Sequence, residues 1–213
     1  MSLKTLIVIP VKDFASAKSR LRPVLGDTDR SQLARRLCER TLSFFGTHFP
    51  DYPLLVVTAS AAIGELARGY GAAVLRELRP AGLSGAAALA AHWSKKQGFD
   101  SQLLVPADIA RLDADEFRSL LCRPRPAPSV LICPASDAGT NALLTTPPDI
   151  LPFCFGPRSS EAHQAAALKR SLPCELLHFD HMRFDLDTPE DLHSLMHPHS
   201  GDLPRELVTL WNL

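Results

Sequence analysis

Leu6, Ile7, Val8 and Ile9 form an uncharged run, rich in β-branched side chains, with no polar residue alternating into it. A strand that accepts water on neither face belongs inside a parallel sheet covered by helices, so this short segment already points to an α/β architecture. Such sheets bind ligands just beyond the carboxyl ends of their strands. Pro10 brings no backbone donor and favours leaving the ladder at that rim. The loop that follows carries Lys12, Lys18 and Arg20 among the small residues Ala15, Ser16, Ala17 and Ser19. Small residues let backbone N–H groups approach a ligand while the cations neutralise phosphate charge, which is the chemistry of a polyphosphate site. Charge spacing alone is equally compatible with a solvated basic loop. The chain has neither G-x-x-x-x-G-K-[ST] nor G-x-G-x-x-G, so neither the P-loop nor the dinucleotide fingerprint applies.

Strand and helix signals alternate beyond this point. Leu33, Leu37, Leu42 and Phe45 recur near helical spacing, with Arg35, Arg36, Glu39 and Arg40 between them, predicting a helix over 31–45. LLVVTA after Pro53 reads as a second buried strand, residues 61–70 as a helix stopped by Gly71, and AAVLRE as a third strand. A Gly- and Ala-dense stretch, AGLSGAAALAAHW, leads a helix to about Lys96; QLLVPADI, DADEFRSLL and SVLICPA then read as strand, helix and strand. Prolines 124, 126 and 128 stiffen the link before the last of these. TNALLTT is a further strand, FCFGPRSSEAHQAAALKR a loop entering a helix at Ser159 or Ser160, and CELLHF a last strand. The expected fold is a Rossmann-like, mixed but mostly parallel sheet with helices on both faces, in a single domain over 1–213.

Composition narrows the function. The 213 residues carry 23 basic and 23 acidic side chains, a balance that argues against bulk nucleic-acid binding, so any phosphate site must be local. Cys38, Cys122, Cys133, Cys154 and Cys174 are odd in number and lack C-x-x-C spacing, which predicts buried, reduced thiols and a cytoplasmic protein. No apolar run reaches the roughly 20 residues of a membrane span. His193, His197 and His199 cluster beside Pro198 without a cysteine partner and read as a surface turn rather than a metal site.

VPADI and FDLDT carry the chemistry, each placing an aspartate at or near the end of an apolar strand: Asp108 in the first, Asp185 and Asp187 around Leu186 in the second. If those ends are neighbours, carboxylates converge on the basic loop. One or two carboxylates facing a triphosphate are how proteins hold magnesium. Two plainer readings stand beside this one. Asp187 in D-T-P-E, with Thr188 as N-cap and Pro189 at the first helical position, could support a helix cap, and Asp108 could be an ordinary turn residue.

PVKDFASAKSRL, GLSGAAALA, PADI, DAGTNALL, FGPRSSEAH and DLDTPEDL, in that order from residue 10 to residue 192, together resemble the guanylyltransferases of deazaflavin coenzyme F-420 biosynthesis. These form a branch of the molybdenum-cofactor-type nucleotidyltransferase superfamily. The resemblance implies a glycosyltransferase-A-like α/β fold, a magnesium requirement and a homodimer. It also implies transfer of a nucleoside monophosphate from GTP to a phosphorylated three-carbon acid, with release of pyrophosphate. Among members that acid is 2-phospho-L-lactate, phosphoenolpyruvate or 3-phospho-D-glycerate.

Carried over by motif, Lys12, Lys18 and Arg20 meet the triphosphate; Pro10, Gly82 and Ser84 complete the nucleotide side; Asp108 and Asp187 hold magnesium; and Thr140, Gly156 and Ser159 contact the acceptor. A helix beginning near Ser159 would turn its positive end toward that anion. His163 is expected to orient the acceptor loop or touch the acceptor. Ser84 stands where the family commonly has Asn, Asp137-Ala138 where it often has Gly-Thr, and Ser159-Ser160 where it usually has Ser-Phe. A serine lacks the paired donor and acceptor of an amide. Two other classes remain open: a related nucleotidyltransferase using another nucleotide or a sugar phosphate, and a non-catalytic GTP-binding protein of the same fold.

Overall fold

Among the described residues seven strands pair in the order β3-β2-β1-β4-β6-β5-β7. They run β1 Thr5–Pro10, β2 Leu54–Thr58, β3 Ala73–Arg76, β4 Ser101–Leu104, β5 Ser129–Pro134, β6 Thr140–Thr146 and β7 Cys174–Leu176. Among the described residues six α-helices, α1 Asp27–His48, α2 Ala61–Gly69, α3 Gly82–Lys96, α4 Ala114–Leu121, α5 Ser159–Lys169 and α6 Pro189–Met196, connect and flank them. The computed structural model describes residues 3–196. Only β6 runs against its neighbours, antiparallel to both β4 and β5, so the mixed, mostly parallel α/β sheet expected from the sequence is what forms.

Alternation along the strands assigns the two faces. Ile7, Ile9, Val56 and Leu103 turn to one side, where Cys38, Leu42 and Phe45 of α1, Ile63 of α2 and Phe117 of α4 cover them. Leu6, Val8, Leu55 and Leu104 turn to the other, against Ala86, Ala87 and Ala90 of α3. The small side chains of the Ala-dense stretch let α3 approach the sheet closely. α5 covers the same sheet further along, with Ala167 against Val130, Ile132 and Leu143. Among the described residues no helix is long and apolar enough to cross a membrane.

Several boundaries differ from the sequence reading. α1 is longer at both ends, because Asp27 and Asp29 complement its first turn before the apolar stripe begins. β4 stops at Leu104, ahead of P-A-D-I: Pro106 has no donor, and the chain leaves the sheet after Val105 N bonds Val8 O at 2.9 Å. FDLDT is not a strand end. It makes one isolated antiparallel bridge, Ile109 to Asp185, and then turns into α6. The thiols also differ from expectation: Cys38 and Cys133 are buried, whereas Cys122 and Cys154 are exposed. Of the histidine cluster only His193 is described, exposed on α6; His197 and His199 lie outside the described residues.

Phe117 is fully buried at the centre of an aromatic group, 4.9 Å from Phe45, 5.5 Å from Phe44 and 6.3 Å from Phe49 between ring centroids. Phe117→Ala should therefore destabilise the domain by about 3–5 kcal/mol, read as a lower midpoint in urea unfolding. A loss under about 1 kcal/mol would mean that α4 does not anchor this core.

Candidate active site

The carboxyl end of β1 leads through two short 3-10 turns, Phe14–Ser16 and Ser19–Leu21, with Lys18 between them at φ 53°. That left-handed backbone sends Lys18 inward while Lys12 and Arg20 stay exposed. Arg30, buried in α1, fixes the loop by donating from Nη1 to Ala17 O at 2.9 Å and by pairing with Asp27. The loop after β4 is held from the same helix: Arg40 donates to Ile109 O at 2.6 Å and Ala110 O at 2.9 Å, and Thr41 to Ala107 O at 3.3 Å.

The second aspartate segment is bolted down independently. Glu116 of α4 accepts the backbone N–H groups of His181 and Met182, each at 2.8 Å, and Asn141 donates to Met182 O at 2.9 Å. Ala110 N to Phe184 O at 2.8 Å and Leu186 N to Asp108 O at 3.2 Å then join the two aspartate segments to each other. Beneath them Leu186, Leu21, Leu33, Leu37, Ala110 and Leu192 form a satellite core. Burying Leu186 leaves its neighbours Asp185 and Asp187 only half-buried.

These constraints converge on one cation. Lys18 Nζ lies 2.7 Å from Asp108 Oδ2 and 3.2 Å from Asp187 Oδ1, and Arg20 approaches Asp187 Oδ2 at 3.6 Å. The Lys18 side chain is 4% exposed against 33% for Asp108 and 38% for Asp187, so the ammonium sits beneath carboxylates that face solvent. Burial disfavours the charged lysine, but the two carboxylates outweigh it and raise its pKa above the ordinary value. Asp185 goes the other way: burial first, then the charge of Asp108, pushes its pKa up to about 6.

Asp187 is not the helix cap. Asp191 Oδ2 accepts from Thr188 N at 2.7 Å and from Asp187 N at 3.0 Å, and Asp191 N donates to Thr188 Oγ1 at 3.2 Å. Thr188 and Asp191 thus close the first turn of α6, leaving both Asp187 oxygens for the cations. Asp108 and Asp187 lie close enough to share one positive charge, a donor set that fits a hard divalent ion completed by phosphate oxygens.

A second group lies at the start of α5. Thr140 Oγ1 is 2.9 Å from Ser159 Oγ and 3.2 Å from His163 Nδ1, and His163 Nε2 accepts from Cys154 N at 2.9 Å. Gly156 takes φ +146°, which a side chain would strain, and its carbonyl accepts from Ser159 N at 3.2 Å. Ser160 N and Oγ both bond Ala138 O. Two amides of the first turn of α5 are therefore spent within the protein, and Thr140 and Ser159 are themselves buried. Gly82 opens α3 at φ +71°, and Ser84 Oγ, expected on the nucleotide side, accepts from Phe155 N at 2.9 Å and so ties α3 to the loop of Gly156.

Sequence reasoning missed Arg30, Arg40 and Glu116, which position the site without lining it. The signal for the first two lay in α1: Arg30 precedes Leu33 by three residues and Arg40 follows Leu37 by three, placing both beside the buried face.

The sheet and the paired-aspartate rim define a nucleotidyltransferase-type α/β protein. A solved structure from Desulfovibrio desulfuricans G20, described as a nucleotide-diphospho-sugar transferase, superposes with a TM-score of 0.72 at 18% identity, covering 99% of this chain and 97% of that one. The chain belongs to the family "Guanylyl transferase CofC like", whose match spans residues 5–209. It is 51% identical over 193 residues to a 3-phospho-D-glycerate guanylyltransferase of Colwellia psychrerythraea, covering 91% of each chain. To a phosphoenolpyruvate guanylyltransferase of Rubrobacter xylanophilus it is 35% identical, covering 89% of this chain and 92% of the relative.

His163 is fully buried, and burial pushes its pKa down to about 4 from the ordinary 6.5. A group that binds its proton less readily when folded contributes stability that is complete above pH 6.5 and lost as pH falls toward 4. Acidification through that window should cost the protein up to about 3 kcal/mol more than it costs His163→Asn. Urea unfolding of both proteins across the window checks this, and parallel pH profiles would contradict it.

Proposed function

We propose that this chain transfers the guanylyl group of GTP to a phosphorylated three-carbon acid, releasing pyrophosphate, as a step of coenzyme F-420 biosynthesis. The observation that carries the proposal is the convergence of Asp108, Asp187, Lys18 and Arg20 on one rim in a member of the guanylyl transferase family. The identity to a relative named for 3-phospho-D-glycerate exceeds that to one named for phosphoenolpyruvate, which favours 3-phospho-D-glycerate as acceptor.

A phosphate oxygen of the acceptor attacks the α-phosphorus in line; a new phosphoanhydride bond forms as the bond to the pyrophosphate oxygen breaks. The attacking phosphate is already anionic at neutral pH, so no serine nucleophile or histidine base is required, and what remains is positioning and charge neutralisation. Magnesium, held by Asp108 and Asp187, would neutralise charge on the phosphates. Lys12, Lys18 and Arg20 bind the triphosphate and offset the charge that grows on pyrophosphate. Pro10 and Gly82 line the nucleotide side with backbone. Ser84, whose oxygen already accepts from Phe155, keeps its hydroxyl hydrogen for the nucleotide. Thr140, Ser159 and the backbone at Gly156 hold the acceptor.

Asp108→Asn and Asp187→Asn should each lower turnover at least about 10²-fold with unfolding midpoints close to the unsubstituted protein. Normal rates in both variants at limiting magnesium would place the metal elsewhere. Pyrophosphate release measured with GTP or CTP against 3-phospho-D-glycerate, phosphoenolpyruvate and 2-phospho-L-lactate tests the substrates. GTP with 3-phospho-D-glycerate should give the highest kcat/KM. No release with any pairing would reduce the protein to a nucleotide binder.

A further inference from the structure

Backbone amides only donate, and that fixes the proton on His163 atom by atom. Cys154 N lies 2.9 Å from His163 Nε2, so Nε2 is bare and accepts. A neutral imidazole with a bare Nε2 carries its proton on Nδ1, which lies 3.2 Å from Thr140 Oγ1 and donates to it. The hydrogen of Thr140 is then the one placed in the 2.9 Å contact with Ser159 Oγ. Ser159 receives, and among the described residues its own hydroxyl hydrogen has no acceptor.

We propose that His163 is a positioning residue that sets the direction of this hydrogen-bond chain, so that Ser159 presents an O–H rather than a lone pair to the anionic acceptor. The proposal rests on the assignment of Thr140 and Ser159 to the phospho-acid. Run in reverse, from Ser159 through Thr140 to the imidazole, the same atoms and distances would aim a lone pair at a phosphate or carboxylate and repel it. The direction cannot invert by rotation of the ring. His163 is fully buried and Phe155 packs edge-on against it at 4.8 Å between centroids, and a flip of the ring would put Cδ2 and Cε1 where Nδ1 and Nε2 stand and break the contacts with both Thr140 and Cys154 N. The depressed pKa keeps the ring neutral, and a doubly protonated ring would leave the Cys154 amide without its acceptor.

Two side chains separate the parts of the idea. Asparagine places an amide N–H near the position of Nδ1 and can still donate to Thr140; leucine removes both contacts. His163→Leu should raise KM for 3-phospho-D-glycerate about 10-fold or more while KM for GTP changes less than about twofold, and His163→Asn should recover most of that loss. Nitrogen-15 NMR of the histidine-labelled, unsubstituted protein should show Nδ1 protonated and Nε2 bare at neutral pH and at about pH 5, a readout that does not depend on any variant folding. Protonation of Nε2 instead overturns the proposal. If Thr140→Val and Ser159→Ala raise the acceptor KM while His163→Leu, folded, does not, His163 has no directing role and the acceptor pocket stands. Thr140→Val and Ser159→Ala acting on GTP instead would overturn the pocket and this proposal together.

Discussion

The two backbone hydrogen bonds between 108–110 and 184–186 are what the rest of the site depends on. Asp108 and Asp187 are far apart in sequence, and neither stands within a strand of the sheet. Their shared position comes from a single antiparallel bridge formed outside the sheet and buttressed from α1 by Arg40 and Thr41 and from α4 by Glu116. Leu186 and Ala110 turn into the satellite core on either side of that bridge. Apolar burial therefore chooses the face, the bridge chooses the register, and the carboxylates follow. The supports Arg40, Thr41, Glu116 and Asn141 stand on helices and on a strand of the sheet, and rigid elements hold a site more closely than loops do.

Much of this was legible in residues 5–146, because β1, β2 and β5 are largely apolar runs and the helices carry their own periodicity, although β4 and β6 also bury polar side chains such as Gln102 and Asn141. The strands at β1, β2 and β5 and the helices at α2, α3 and α4 fall where the patterns place them. Legibility failed where a segment is held by partners distant in sequence. FDLDT looks like a strand end because Phe184 and Leu186 flank an aspartate, yet its only ladder contact is with residue 109. The cap at α6 was half legible: Thr188 and Pro189 announce it, but Asp191, which completes it, is what releases Asp187 for the cations.

The site residues divide in the same way. Lys18, Arg20, Asp108 and Asp187 were nameable from sequence and do come together, as do Thr140 and Ser159. The burial of Lys18 was not nameable, since it depends on a positive φ at a non-glycine residue and on the floor formed by Leu21. Nor was the internal use of the α5 amides, which requires Ala138 O to reach Ser160 across the β5–β6 turn. His163 was expected to orient the acceptor loop or touch the acceptor, and it is buried with Nε2 accepting from Cys154 N, a bond that ties the 152–156 loop to α5.

Charge balance explains why the rim is arranged as it is. A buried ammonium without a partner would shed its proton, and two adjacent carboxylates without a cation would repel each other. Lys18 between Asp108 and Asp187 meets both requirements in the free protein, and Arg20 adds a further positive charge at the solvent side. A triphosphate arriving alone would add anionic charge to two carboxylates already there, and a divalent ion arriving alone would compete with Lys18 for them. On the proposed function they arrive together, and the ion would take up the carboxylates while the phosphates would take up the ammonium. A rim built of two aspartates and one buried lysine is therefore balanced in the free protein, and under the proposed function a nucleotide that comes with its metal would keep that balance by electrostatics, before any contact with the base.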